Sequence, residues 1–414
     1  MLKHRPLCVT ILLLAALFST ALLLISWNTS AVDSSTSVEY QRSSADVVSL
    51  KKEVKRLNER IRFLEEDSLF RGGHGGNSRS ALSDQKSYPS VKRLVESDRK
   101  RILVTGGSGF VGSHLVDRLL LDGHEVYAVD NFFTGRKRNL EHWIGHENFE
   151  LLNHDIVNPL MLEVDQIYHL ASPASPVKYM YNPIKTLKTN TVGTLNMLGL
   201  AKRVRARFLF ASTSEVYGDP QVHPQNESYW GHVNPIGPRA CYDEGKRVSE
   251  TMVYAYQKQE NVDVRVARIF NTFGPRMHMY DGRVVSNFII QALLGKPLTV
   301  YSPGDQTRSF MYVSDLVTGL IALMGSNYSL PVNLGNPEEH TITEFAQIIL
   351  DMLDGGKVVM RPHNQDDPYK RKPNIARAQR ILQWNPVVPL KTGLLKTIDY
   401  FKQEIENSTN NDIR

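Results

Sequence analysis

The chain is poor in cysteine: its 414 residues hold two, Cys8 and Cys241. That is too few for a disulfide framework, and the pair has no zinc spacing, so no metal site is expected. In an oxidising compartment the fold would have to stand without bridges. Cys8 lies in an apolar run and Cys241 beside a tyrosine, where a packed free thiol is a simpler reading than a nucleophile. Long tracts of one charge are missing too. Lys and Arg number 49 against 43 Asp and Glu, a net charge of +6. No basic run marks a nucleic-acid surface, so no nucleic acid is expected as a partner. The surplus suits a small anionic ligand. No internal repeat is visible.

One long charge-free run is present, "LCVTILLLAALFSTALLLI" at residues 7–25. A helix needs roughly 20 apolar residues to span a bilayer. Lys3 and Arg5 precede the run and the next basic residue is Arg42, which places residues 1–6 in the cytosol and the bulk of the chain in a lumen. A cleaved signal peptide is the competing reading, but its apolar core is shorter and ends in small residues. Residues 26–97 are then a lumenal stem. Within it Val47, Leu50, Val54, Leu57, Ile61 and Leu64 alternate spacings of three and four, predicting a coiled coil over 46–67 or an amphipathic stem that never pairs. Residues 71–90 are rich in Gly and Ser and predict a flexible linker. Sequons occur at Asn28, Asn226, Asn327 and Asn407, which a lumen permits to be glycosylated.

From residue 98 short apolar runs alternate with helical stretches. "RILVTG", "HEVYAVD", "DQIYHLA", "RFLFAS" and "VDVRVARI" predict buried strands. This is the pattern of βαβ units around a parallel sheet. The expected architecture is α/β, a Rossmann-like doubly wound sheet over 98–275, with a smaller substrate-binding lobe mainly over 276–403 and a disordered tail over 404–414.

The first strand leads into "TGGSGFVGSHL", where Gly106, Gly109 and Gly112 form a G-x-x-G-x-x-G frame. The first glycine permits a tight turn, the second lets backbone approach a pyrophosphate, and the third packs helix on strand. The helix start offers free N–H groups to phosphate oxygens. The next strand ends at Asp130, where a carboxylate would accept from both ribose hydroxyls and repel a 2′-phosphate, favouring NAD over NADP. Asp155 ends a third apolar stretch, either at the adenine or as a turn residue. Further on, "CYDEGK" sets Tyr242 and Lys246 four apart, hence on one helix face. There a lysine charge would lower the phenol pKa and make Tyr242 a base for an alcohol.

With these motifs the chain resembles the extended short-chain dehydrogenase/reductases that act on nucleotide sugars, over nearly all of residues 99–402. "STSEVYG", "FNTFGPRM", "DGRVVSNFI" and "DDPYKRKPNI" look most like the UDP-glucuronate decarboxylase (UDP-xylose synthase) branch, and the anchor and stem look like its animal Golgi form. The resemblance implies Tyr242 as base for the C4 hydroxyl, Lys246 as its partner, and Thr213 bonding to the sugar O4. It implies Gly106, Gly109, Phe110, Val111 and Gly112 at the pyrophosphate. Asp130, Asn131, Phe133, Thr134 and Gly135 would surround the adenosine ribose, with Asp155 and Ile156 at the adenine. Leu170, Ser172, Thr189, Ala211 and Thr272 would line the cofactor, and His278 and Arg283 the cleft rim. Lys188 and Asn271 match substrate contacts, and Arg308 would pair with the UDP diphosphate.

The implied reaction is redox-neutral. A recycled NAD oxidises C4 of UDP-glucuronate, the resulting β-keto acid loses CO2, and C4 is reduced again to give UDP-xylose. Dehydratases of the family carry Thr-Asp-Glu; this chain has Thr213-Ser214-Glu215. Ser214 supplies no acid and removes a negative charge near a substrate carboxylate. Glu215 is expected as the acid/base or water-positioning group, and Arg371 to meet the sugar carboxylate, unless "YKRK" is only a solvated charge run. A UDP-glucuronate 4-epimerase and a non-catalytic NAD-binding, membrane-tethered scaffold are the alternatives. The family implies a homodimer, and the anchor implies a single-pass type II protein of the Golgi or endoplasmic reticulum. Two departures stand out. Pro303 and Asp305 occupy a loop expected to be small and neutral near the diphosphate, and Met161 stands where a tyrosine is more familiar.

Overall fold

The computed structural model describes residues 86–362 and 369–411. The expected membrane helix, coiled coil and most of the linker lie outside the described residues. Among the described residues no helix is long and apolar enough to cross a membrane.

Seven parallel strands form the central sheet. In chain order they are β1 (Arg101–Thr105), β2 (Glu125–Asp130), β3 (Phe149–Asn153), β4 (Gln166–His169), β5 (Arg207–Thr213), β6 (Val264–Ile269) and β7 (Val332–Leu334). Their spatial order is β7-β6-β5-β4-β1-β2-β3. All five expected strands are present. They are apolar almost throughout because both sheet faces are covered. Alternate residues serve opposite faces: Ile102 and Val104 pack under the helices Phe110–Leu121 and Val313–Gly325, while Leu103 joins Phe208, Val264 and Leu198 under the helices Thr194–Val204 and Ala240–Glu260. Strand order reverses between β1 and β4, and the crevice beyond the carboxyl ends of these strands is where such a sheet takes a ligand.

A second apolar cluster, built on Phe273, Phe288, Phe310, Phe345, Leu394 and Phe401, forms the core of the smaller lobe. That lobe is not one continuous stretch. After Met311–Tyr312 the chain returns to the sheet as the helix Val313–Gly325 and β7, because Leu316, Leu320 and Leu323 are buried against the sheet's own core. It then re-enters the lobe, where Thr307–Ser309 lies between Glu339–Thr341 and Lys370–Arg371.

Two short pieces of the expected margins, residues 86–90 of the flexible linker and 404–411 of the disordered tail, are among the described residues and are ordered there. The residues expected to end the linker are pinned to the sheet unit: Tyr88 donates to the Ile144 carbonyl at 3.1 Å, and Lys86 to the same carbonyl at 3.0 Å. At the other end the helix Leu390–Asn411 continues past residue 404. Glu404 is buried against Arg136, 3.0 Å away, and Arg138, and these pairs hold the helix where composition suggested a tail.

Candidate active site

A cavity of about 660 Å3 opens at the carboxyl ends of the strands, between sheet and lobe. Its floor is the glycine turn. Gly106 has φ +71°, and its N–H donates to the Val129 carbonyl at 2.7 Å. A Cβ on Gly112 would stand 2.1 Å from the Gly106 oxygen, so no side chain fits there. The helix Phe110–Leu121 begins without a side-chain cap, which leaves its first amides to the cavity. Asp130 accepts from the Ser108 and Phe132 amides at 3.1 and 2.8 Å; burial raises its pKa and these bonds oppose the rise. Ser172 and Thr189 line the cavity with buried hydroxyls that have no protein partner. A dinucleotide fits these features: a cradle closed to any Cβ, a strand-end carboxylate, and unpartnered polar atoms along the wall.

At the other end, Tyr242 and Lys246 face the cavity from the helix Ala240–Glu260. The expected lowering of the tyrosine pKa is reversed by its surroundings. Burial pushes the Tyr242 phenol up, the Glu215 charge adds to this, and the Thr213 hydroxyl bond opposes it only in part. Burial also pushes Lys246 down, to about 7, so its charge is weakened where the phenol would draw on it. Tyr242 stacks on Tyr179 with ring centres 5.0 Å apart, which is the packing that strips water from the phenol.

Three elements meet at Glu215. It follows β5 in the turn Ser214–Tyr217, where Thr213 Oγ1 accepts from its N–H at 3.2 Å. Arg371, from the short strand Lys370–Arg371, donates Nη1 to Oε1 at 2.5 Å and Nη2 to Oε2 at 2.8 Å. Arg239, just before the Tyr242 helix, places Nη2 2.5 Å from Oε2. Burial works to raise the Glu215 pKa, but Arg239 and Arg371 override it and hold it down to about 2. Of the expected acid/base or water-positioning roles, that of an acid is the one this pairing opposes, because Glu215 is held as a carboxylate. Arg371, with its side chain only 4% exposed, is no solvated charge run.

The other expected residues divide cleanly. Gly109, Phe110, Val111, Asn131, Phe133, Thr134, Ile156, Leu170, Ala211, Ser214, Asn271, Thr272, His278, Arg283 and Arg308 all line the cavity. Gly135, Asp155 and Lys188 do not. Gly135 backs onto Asp130, where a Cβ would stand 2.5 Å from the carboxylate. Asp155 accepts from Lys185 at 2.8 Å and Asn131 at 2.9 Å, holding two residues that do line the cavity. Lys188 is exposed, and Lys185, one turn earlier, faces inward in its place. The two departures also resolve. Asp305 is exposed and accepts from the Tyr369 hydroxyl, and neither it nor Pro303 lines the cavity. Met161 is 71% exposed and lies away from the lining residues. Sequence reading missed Arg239, Arg136, Arg276 and Tyr179, which all line the cavity. Only Arg239 left a signal, three positions before Tyr242 and so on the same helical face.

Residues 102–335 match the NAD dependent epimerase/dehydratase family. The chain is 73% identical over 327 residues to a UDP-glucuronic acid decarboxylase 1 of Xenopus tropicalis, covering 79% of this chain and 78% of that one. It is 60% identical over 306 residues to UDP-glucuronic acid decarboxylase 4 of Arabidopsis thaliana, covering 74% and 69%. Among solved structures, it resembles a UDP-glucuronic acid 4-epimerase from Bacillus cereus in complex with UDP-glucuronic acid and NAD. That likeness has a TM-score of 0.67 at 27% identity and covers 73% of this chain and 99% of that one.

Proposed function

We infer the reaction from one premise: the chain belongs to the NAD dependent epimerase/dehydratase family. It is an NAD-dependent UDP-glucuronate decarboxylase, a carboxy-lyase that forms UDP-xylose. The observation that carries this reading is a single cavity holding Tyr242, Lys246 and Thr213 beside two guanidiniums that exceed Glu215 by one positive charge. One surplus charge suits one sugar carboxylate.

When bound, NAD accepts the C4 hydride and later gives it back. The remaining work falls to the chain. The glycine turn and Asp130 would hold the dinucleotide, with Ser172 and Thr189 offering it the hydroxyls that have no protein partner. Thr213 orients the C4 hydroxyl and Tyr242 takes its proton. A cation beside Tyr242 would offset the burial and the Glu215 charge that hold the phenol neutral. Arg308, buried in the lobe, pairs with the diphosphate. Arg371, its fork closed on Glu215, meets the carboxylate with the N–H groups left over, the buried and unpartnered Nε among them, and neutral Ser214 leaves that carboxylate unopposed. With a ketone at C4, the C5–carboxyl bond breaks, CO2 leaves, and the electron pair delocalises onto the ketone oxygen. A proton returned to C5 completes the pentose. Glu215, ionised and held from two sides, orients a water, which supplies that proton.

The exposed apolar residues Val177, Met180, Tyr181, Ile184 and Leu187, beside the Tyr242 helix, support a homodimer through this face. Residues 7–25 support a type II Golgi anchor with the catalytic unit in the lumen, where exposed Asn327 is open to a glycan. The test is to incubate the detergent-extracted full chain with UDP-glucuronate and no added NAD, and to identify the sugar product. UDP-xylose with CO2 supports this reading. UDP-galacturonate without CO2 would establish a 4-epimerase, and no conversion even with added NAD would leave the scaffold.

A further inference from the structure

Glu215 lies between two cations that come from different parts of the chain. Arg371 belongs to the lobe, whereas Arg239 sits at the start of the helix that carries Tyr242. Oε2 receives both Arg239 Nη2 at 2.5 Å and Arg371 Nη2 at 2.8 Å, and Oε1 receives Arg371 Nη1 at 2.5 Å. An arginine fork alone fixes a carboxylate in its own plane but can swing with it. A second guanidinium from a separate element removes that freedom. The groups facing Glu215 are Arg239, Tyr242 and Asp243 from one helix, Tyr179 from another, and Arg371 and Arg308 from the lobe strands.

We propose that Arg239 is a positioning residue for the decarboxylation: by tying Glu215 to the Tyr242 helix, it aims Arg371 at the sugar carboxylate. This rests on the decarboxylase reading above. Asp243 is the other acid within reach, 3.9 Å from Arg239. It does not compete for the charge, because burial, and then the Glu215 charge, push its pKa up to about 8. Its Oδ1 is buried and unpartnered, as suits a group that is neutral near pH 7. Arg239 is thereby committed to Glu215. The arrangement also gives register. Arg239 precedes Tyr242 by three residues, so the group that aims the carboxylate and the group that takes the C4 proton move as one rigid body.

The experiment is a double-mutant cycle on the full chain, with turnover normalised to bound NAD so that misfolded protein does not count. Arg239→Met is expected to lower kcat about 10- to 100-fold, the loss that misplacement of a positioned group produces. KM for UDP-glucuronate should stay within about threefold, because Arg371 and Arg308 are intact. Arg239→Lys, which keeps one charge, should recover most of that loss. In a Glu215→Gln background Arg239→Met should cost little more, since the effect passes through the carboxylate. Independent, multiplying losses in the double variant would overturn the proposal, as would unchanged kcat in Arg239→Met. Wild-type protein that releases no UDP-xylose would instead overturn the reading beneath it.

Discussion

Lys246 and Tyr242 stand one helical turn apart, yet the lysine makes its hydrogen bond to the Ala211 carbonyl, 2.8 Å away, with Nζ 5.9 Å from the centre of the tyrosine ring. Both side chains are buried, and burial moves both toward their neutral forms. A cation arriving beside the phenol would activate it, because the resting barrier is desolvation together with the Glu215 charge.

The lysine makes pH a stability variable. Its folded pKa is lowered to about 7 from 10.5, so between those values the unfolded chain binds the extra proton. Stability from this group is fully present above about 10.5 and is lost as pH falls through about 7. The unfolding free energy of NAD-free protein, from urea titrations, should rise with pH across that window by a few kcal/mol in total, one unit being about 1.4 kcal/mol. Lys246→Met should flatten the slope, and an unchanged slope would show that Lys246 keeps its charge in the fold.

Tyr242→Phe keeps the ring that stacks on Tyr179 and removes only the hydroxyl. Its folding and NAD content should match wild type. Turnover should fall about 10^2- to 10^4-fold, the span typical of a lost general base. Retained activity would mean that another group takes the C4 proton.

Arg371→Lys tests the fork. A lysine supplies the charge but not two parallel N–H groups. The expected result is at least about a tenfold loss in kcat/KM for UDP-glucuronate with unchanged affinity for UDP, measured by calorimetry. Arg371→Met leaves Glu215 and Arg239 without their third member. Because Glu215 keeps Arg239, the carboxylate is not stranded, and the loss should fall below the about 3–5 kcal/mol of a buried pair broken outright, seen as a modestly lowered unfolding midpoint.

Gly112→Ala addresses the cofactor cradle. The added Cβ meets the Gly106 oxygen at 2.1 Å, so either the turn opens or the helix shifts. Acid-released NAD, quantified by chromatography, should drop well below one per chain. Full retention of NAD would place the dinucleotide elsewhere.

The strand pattern, the glycine turn and the Tyr242–Lys246 spacing were legible in the sequence because each is local. Burial on both faces writes continuous apolar runs, a turn that excludes Cβ demands glycine, and helical pitch sets a four-residue interval. Arg371 and Asp130 were also legible, on motif context. The exposed position of Lys188, the inward turn of Lys185 and the harmless aim of Asp305 were not, since a one-residue change in helical phase or a loop's direction leaves no mark in composition. Nor was the state of the charges. That Glu215 is a carboxylate depends on Arg371, brought in from 156 residues along the chain, and on Arg239; that Asp243 and Lys246 are pushed toward their neutral forms depends above all on water removed. Local chain chemistry set the sheet, the cradle and the reactive residue types. Which of those residues carry charge was left to the folded arrangement, because desolvation and through-space pairing arise when distant segments close over one another.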